Sequence, residues 1–286
     1  MNTQFWLIQA FNGISYGALL FLVGSGLSLI FGVMRIVNLS HGSYFLLGGY
    51  VALSVIWTTG SWALALPVAA LSIAAVGLLM ERIFLRPLGF DPLRQVLLTV
   101  GFAFLFQQAA LDIWTGNNFD INPPDVLTKS VVVGGLYLPL YRVFMIATAL
   151  AIGIVLWVAM EKTRMGAAVR ATVDDAQMAR GVGIDTSRIS MLIFSLGAFL
   201  AALGGVIGGA FLGIYPGLDF EMLPLAFAVV IIGGMGSLGG AAIGALLVGL
   251  ADNFGKALFP EVSYFTLYAP MALILAIKPT GLFGRE

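Results

Sequence analysis

The 286-residue sequence contains no cysteine, which removes disulfides and thiolate-held metals but leaves the compartment open. Its single histidine, His41, is too few for a histidine metal cluster or a histidine proton relay. Charge is scarce: Asp, Glu, Lys and Arg make up 10% of the chain, against about a quarter in a soluble domain. The 14 basic and 14 acidic residues cancel, so the basic footprint that nucleic acid calls for is absent. The phosphate cradle GxxxxGK[ST] is missing, and the glycine-rich run at 233–240 has no lysine and lies in an apolar window. No serine–lysine arrangement, aspartate pair or histidine cluster marks an intramembrane enzyme. Few charges fall inside the apolar windows, which speaks against a proton- or sodium-coupled carrier, since those generally need a carboxylate within the membrane.

What is present is apolar. Hydrophobic residues make up 60% of the sequence and the mean hydropathy is +1.01. Lipid is the solvent that accepts such an excess. The first residues, MNTQFW, have no charged n-region and no evident cleavage site follows, so the first apolar run is read as a retained span.

Uncharged apolar windows fall at 5–34, 42–80, 95–111, 143–160, 189–218, 222–251 and 262–277. One crossing takes roughly 20 residues, so two windows are too long for a single helix. The turn Thr58-Thr59-Gly60-Ser61 divides the first into 42–57 and 62–82, and the glycines from Gly233 to Gly240 divide the second into 222–234 and 238–255. The expectation is a single all-α polytopic membrane domain over 1–286, with about 8–9 transmembrane segments and at least one short or broken helix. A loop at 112–142, with its β-like run Ser130–Val133, is read as a small ordered cap or a plain connection. Alternating the segments outward from 161–188 gathers Arg35, Arg82, Arg86, Arg94, Lys162, Arg164, Arg170, Arg180, Arg188, Lys278 and Arg285 on one side. Only Lys129, Arg142 and Lys256 fall on the other. The positive-inside rule then puts the basic side in the cytoplasm, the N-terminus outside and the C-terminus inside.

The segment 161–188 carries five of the 14 basic residues between long uncharged flanks. Residues 170–180 (RATVDDAQMAR) read as one short helix followed by a glycine-broken turn, Gly181-Val182-Gly183. A polar island of this form is what a cytoplasmic engine would grip, or else a solvated loop. The 36 glycines, mostly inside apolar windows, allow close helix packing. They are densest at 233–240, and a helix broken at membrane depth lines a cavity or lies buried in protein. Gly233, Gly234, Gly236 and Ser237 are therefore candidates for a transport pathway. Asn38 and His41, read at the inner end of the first span, are either polar lining or ordinary capping of the next helix, with Ser40 or Asn38 as the N-cap. Gln107, Gln108 and Asp112 are read as interhelical hydrogen-bonding groups or pathway lining. Asp219, Glu221 and Glu261 are read as outer-side loop ends or contacts for a docked protein.

Several long stretches carry a resemblance: GVMRIVNLSHGSYFLLGGYVA (32–52), LRPL (85–88), LLTVGFAFLFQQ (97–108), RATVDDAQMARGVGID (170–185), YPGLDFEMLPLAFAVVIIGGMGSLGGAAIGALLVG (215–249) and KPTGLFG (278–284). In this order they resemble the LivH-type permease subunit of bacterial branched-chain amino acid ABC importers. Two departures are Leu39-Ser40-His41, where the family usually has phenylalanine–alanine–histidine, and Gly240 ahead of an alanine that more often follows directly. The resemblance implies an ABC importer permease fold in the bacterial inner membrane. Its expected partners are a LivM-like permease, two cytoplasmic ABC ATPase subunits and a periplasmic substrate-binding protein. This chain would hold no cofactor, with ATP and Mg bound by the partner ATPases. The resemblance also implies that 170–183 is the coupling helix, with Arg170 as anchor or ion-pair partner and Asp174, Asp175 and Gln177 meeting polar groups. Ala171, Met178 and Ala179 would fill a groove, and Gly181 and Gly183 would form the turn. The implied cargo is branched-chain or other amino acids; urea, short amides, aromatic acids or a self-sufficient small-solute channel are the alternatives.

Overall fold

The computed structural model describes residues 3–89 and 91–284. Arg285, one of the basic residues assigned to the cytoplasmic side, lies outside the described residues. Each apolar stretch forms a helix: α1 (Thr3–Met34), α2 (His41–Thr59), α3 (Trp62–Met80), α4 (Pro92–Trp114) and α5 (Leu140–Lys162). The polar island forms α6 (Arg164–Asp174) and α7 (Ala176–Gly181), followed by α8 (Thr186–Leu212), α9 (Leu218–Gly233), α10 (Leu238–Leu258) and α11 (Ser263–Ile277). Among the described residues, six helical stretches have the length and apolarity to cross a membrane unaided. They are Thr3–Met34, Trp62–Leu88, Pro92–Trp114, Leu140–Lys162, Thr186–Leu212 and Leu238–Leu258. α2, α9 and α11 are the shorter or more polar remainder.

The helix boundaries have local causes. Gly60, at φ 68°, closes α2 by donating to Ile56 O, and the Ser61 hydroxyl accepts from Leu64 N to open α3. α3 then runs through a π turn at Glu81–Leu85 into a short 3₁₀ turn, Arg86–Leu88. α8 stops at Leu212, earlier than the apolar window predicts. Gly213 is left-handed there (φ 80°), and the next residue, Ile214, pairs its backbone with Phe119. The cap is ordered: β1 (Ser130–Val133) and β2 (Leu136–Pro139) form an antiparallel hairpin whose two-residue turn, Gly134-Gly135, has φ of 59° and 81°. This "hairpin end" is opposite the "basic end", where Arg35, the start of α4 and the α6–α7 segment meet.

α1 is the central post. At ~1.5 Å per residue its 32 residues span about 48 Å, well beyond a ~30 Å hydrocarbon core. Its glycines let four neighbours touch its backbone. Gly17 lies on Ala245 of α10, Gly24 on Val229 of α9, Gly26 on Gly197 of α8, and Gly32 on Gly236 in the α9–α10 break. α4, by contrast, leaves Leu97, Phe104 and Leu105 exposed, as helices facing lipid or another subunit do, and α5 turns Leu150, Ile154 and Trp157 toward an open cavity.

The connection between α1 and α2 departs from the sequence expectation. Instead of resting at the end of the span, the chain turns at Arg35 and runs back into the bundle. Asn38, Ser40 and His41 have no exposed surface, and His41 is the first residue of α2. Its Nε2 lies 3.0 Å from Val23 O. Val23 is three turns before the end of α1, so α2 starts roughly 16 Å inward of that end. Leu39 N donates to Thr99 Oγ1 of α4 (3.2 Å) along the way. Ser40 holds the N-cap position without capping, because its hydroxyl donates to Asn38 Oδ1 instead (2.7 Å).

Candidate functional site

The polar island folds as two helices at an angle rather than the single one predicted. Thr163 caps α6 by accepting from Gly166 N (3.0 Å). At Asp175 the backbone swings to φ −152°, ψ 103°, and the carboxylate accepts from Gln177 N (2.8 Å) and Met178 N (2.9 Å). A short acidic side chain satisfies the free amides of a new helix better than it continues an old one, which is why the break falls there. Asp174 therefore ends α6 and directly precedes the N-cap of α7. α7 closes with Gly183 at φ 90°, Ile184 N bonding Ala179 O and Gly183 N bonding Arg180 O, a Schellman ending that needs glycine at that place. Gly181, in contrast, has open space around it.

The two helices present mixed faces. Val169 is buried against Leu29, Leu156 and Ile193, which ties α6 to α1, α5 and α8. Arg170 Nη1 bonds Met160 O and sits 3.6 Å from Glu161 Oε2, so the guanidinium clasps α6 to the end of α5. Outward, Met178 is 66% exposed and Val182 71% exposed, beside the exposed Asp174, Asp175 and Gln177. Ala179, expected to fill a partner's groove, is 3% exposed and faces its own bundle, since helix periodicity turns it away from Met178.

A cavity of about 1100 Å³ opens between α1, α5 and α10. Its long wall is apolar, with Gly17, Phe21, Gly153, Ile154 and Leu246, and its basic-end mouth gathers Arg35, Glu161, Arg170, Asp174 and Ser237. Gly236 and Ser237 lie on this wall, whereas Gly233 and Gly234 are buried behind it. Their density has a packing cause: an added Cβ at Gly236 would meet Gly32 Cα at 3.0 Å, and Gly233 and Gly240 back directly onto each other. Gly234 and Gly236 also hold φ of 102° and 79°. The carbonyls freed by the break are taken by a returning tail, with Leu282 N donating to Ile232 O and Phe283 N to Gly233 O, both at 3.0 Å. A second cleft of about 500 Å³ runs behind α6 and α7, lined in part by Arg35, Gln95, Asp175 and Gln177.

Asn38 and His41 lie away from both cavities, in a buried polar node at the start of α2. Ser43 Oγ donates to Asp219 Oδ2 (3.2 Å), and Tyr44 OH contacts Met80 Sδ at 2.8 Å. Among the described residues, Asn38 Nδ2, His41 Nδ1, Asp219 Oδ1 and Glu81 Oε2 are buried without a hydrogen-bond partner. Asp219, read from sequence as an outer-side loop end, is only 2% exposed, as is Glu81. Neither burial is visible in the sequence, because each residue follows an apolar one (Leu218 and Met80) in a way common to helix starts and ends. Gln108 Nε2 donates to Asp112 Oδ1 within α4 (2.9 Å), not between helices as anticipated. Glu221 stays exposed and accepts from Tyr215 OH.

Comparison with known proteins places these features. Residues 9–275 match the family model described as the branched-chain amino acid transport system permease component. The chain is 32% identical to the high-affinity branched-chain amino acid transport system permease protein LivH of Escherichia coli (strain K12), aligned over all of this chain and 98% of that one. It is 28% identical to BraD of Pseudomonas aeruginosa over 98% of this chain and 96% of that protein, which bears the same permease description. LivM of Escherichia coli (strain K12), also a permease of that system, is 28% identical over 91% of this chain and 67% of its own length.

Proposed function

The chain belongs to the permease family of branched-chain amino acid transport systems, a multi-pass membrane family of ABC transporter components, and from that premise we propose that it moves amino acids inward on ATP hydrolysed by other subunits. The chain is the permease component and not the ATPase. In this reading α6 and α7 are the cytoplasmic coupling element gripped by a pair of ABC ATPases, which hold the ATP and Mg. A LivM-like permease completes the pathway, a periplasmic binding protein delivers cargo, the N-terminus lies outside and the C-terminus in the cytoplasm.

The observation that carries the reading is the two-faced construction of α6–α7. Val169 and Arg170 fasten the pair to the bundle, while Met178 and Val182 stand bare beside acidic groups. Two neighbouring exposed apolar side chains on an otherwise polar element suit a protein contact. The cavity between α1, α5 and α10 is this chain's share of the path. Its apolar wall suits a branched side chain, and its mouth offers both charge signs to a zwitterion. Cargo crosses when nucleotide and loaded binding protein favour different openings of the pair.

The test is co-purification followed by transport. Met178→Asp and Val182→Asp should release the ATPase subunits and abolish ATP-driven leucine uptake in proteoliposomes while leaving the permease folded. A chain that purifies without ATPases and conducts solute alone would be a channel and would end the proposal.

A further inference from the structure

Resting on the reading of α6–α7 as the ATPase contact, we propose that Arg35 and the inward-returning residues 36–43 act as a strut that carries movement of those helices to the hairpin end. The stretch is fastened along its length. At the basic end, Arg35 Nη2 donates to Val173 O in the last turn of α6 (3.4 Å), and Arg35 N donates to Phe31 O (2.8 Å). A guanidinium suits the free carbonyls at a helix C-terminus. Arg35 also holds φ 54°, a left-handed value that a non-glycine residue keeps only where its surroundings over-determine it, as at switch regions.

Farther in, Leu39 N is bonded to Thr99 Oγ1 and His41 Nε2 lies against Val23 O. At the inner end Ser43 Oγ donates to Asp219 Oδ2, in the first turn of α9. The chain just before α9 reaches the hairpin end, where Ile214 and Phe119 exchange backbone hydrogen bonds of 2.7 and 2.8 Å. Covalent and hydrogen bonds therefore run unbroken from α6 to the loop at Phe119. Ile36, Asn38, Ser40 and His41 are buried while Val37 between them stays exposed, so alternate residues key the stretch into the bundle, and close-packed interiors transmit displacement. Arg35 also lines the cavity mouth, so its part in the strut is separated from any contact with cargo by reading nucleotide-driven labelling in the absence of cargo.

This chain has no cysteine, so an engineered thiol is its single reactive site, read on this subunit after the labelled complex is separated by electrophoresis. Asn118→Cys, exposed beside Phe119, is labelled with maleimide in the reconstituted complex with and without a non-hydrolysable ATP analogue. In the parent, nucleotide is expected to change the labelling rate. Arg35→Gln and Ser43→Ala should each shrink that response by about 2- to 30-fold, and together no more than the more severe single change. Arg35→Lys should retain part of it. A purely structural role would lower yield and leave the response per assembled complex intact, which would overturn the strut. So would single effects that multiply in the double variant, or a parent that shows no response at residue 118. If Arg35→Gln does not assemble, parent-sized responses in Arg35→Lys and Ser43→Ala overturn it equally. Failure of the parent to co-purify with ATPases would instead defeat the coupling reading, and the strut with it.

Discussion

Replacing Gly26 by alanine tests whether α1 is held by backbone contact. An added Cβ would meet Gly197 O at 2.7 Å, Gly197 Cα at 3.1 Å and Gly197 C at 3.3 Å. All three are backbone atoms, so no side chain can rotate away. Ordinary contact begins near 3.4 Å, so α1 and α8 must part by several tenths of an ångström. A gap of about 0.5–1 Å forfeits a quarter to a half of each dispersion well along the contact. Overpacking of this kind costs about 1–3 kcal/mol. Alanine returns about 0.5–1 kcal/mol through its better helix propensity. The net expectation is a loss centred on about 1 kcal/mol. Gly101 is the control: it lies within α4, and an added Cβ there meets nothing within 4 Å. Gly101→Ala should therefore keep the propensity gain and stabilise by about 0.5–1 kcal/mol. The assay is loss of helical circular dichroism on titrating detergent micelles with SDS. Equal shifts for the two variants, or a Gly26→Ala variant as stable as the parent, would refute the reasoning.

Asp175→Ala removes the cap of α7 and should cost about 1 kcal/mol locally, read as roughly fivefold faster hydrogen exchange at Gln177 and Met178 with global unfolding unchanged; unaltered exchange would contradict it. Ser43→Ala should destabilise by about 1–3 kcal/mol, because Asp219 already has one unpartnered oxygen and loses its donor to the other. Tyr44→Phe removes a hydroxyl that contacts Met80 Sδ, Ser40 and Asn38, all neutral groups, and should cost less than stripping a buried carboxyl of its donor, so the reverse order of the two in SDS titration would count against this account of the node. Leu282→Pro deletes the amide that donates to Ile232 O and should speed protease cleavage near the exposed Met235, whereas Leu282→Ala should not. Equal cleavage of both would show that the tail does not secure the break.

Much of the helix layout is legible in the sequence, because it is written in local chemistry. Gly60-Ser61 and the run from Gly233 to Ser237 divide the long windows where backbone conformation requires it, and the Ser130–Val133 run is a strand. The pieces that were not legible depend on contacts between distant segments. Nothing near Asn38 or His41 indicates that residues 35–40 turn back along α1, since the partners that hold them there, Val23 and Thr99, belong to other helices. Asp219 reads as a solvated helix start until Ser43 is seen against it. Ala179 and Met178 are adjacent in sequence and alike in apolarity, and only the docking of α7 decides which one faces inward. Asp175 breaking 170–180 into two helices was readable from capping preference, although the helical pattern on either side masked it.

The tail that closes the end of α9 also orders events during synthesis. Ile232 and Gly233 leave the ribosome about fifty residues before Leu282 and Phe283, with α10 and α11 made in between. Until then two bare carbonyls stand at the break with no protein donor, and lipid supplies none. α9 and α10 must therefore wait near water or the insertion machinery, and this corner of the bundle is the last to set. A ribosome that stalls between the end of α11 and Leu282 would leave a chain whose helices are all made but whose mouth is still unsealed.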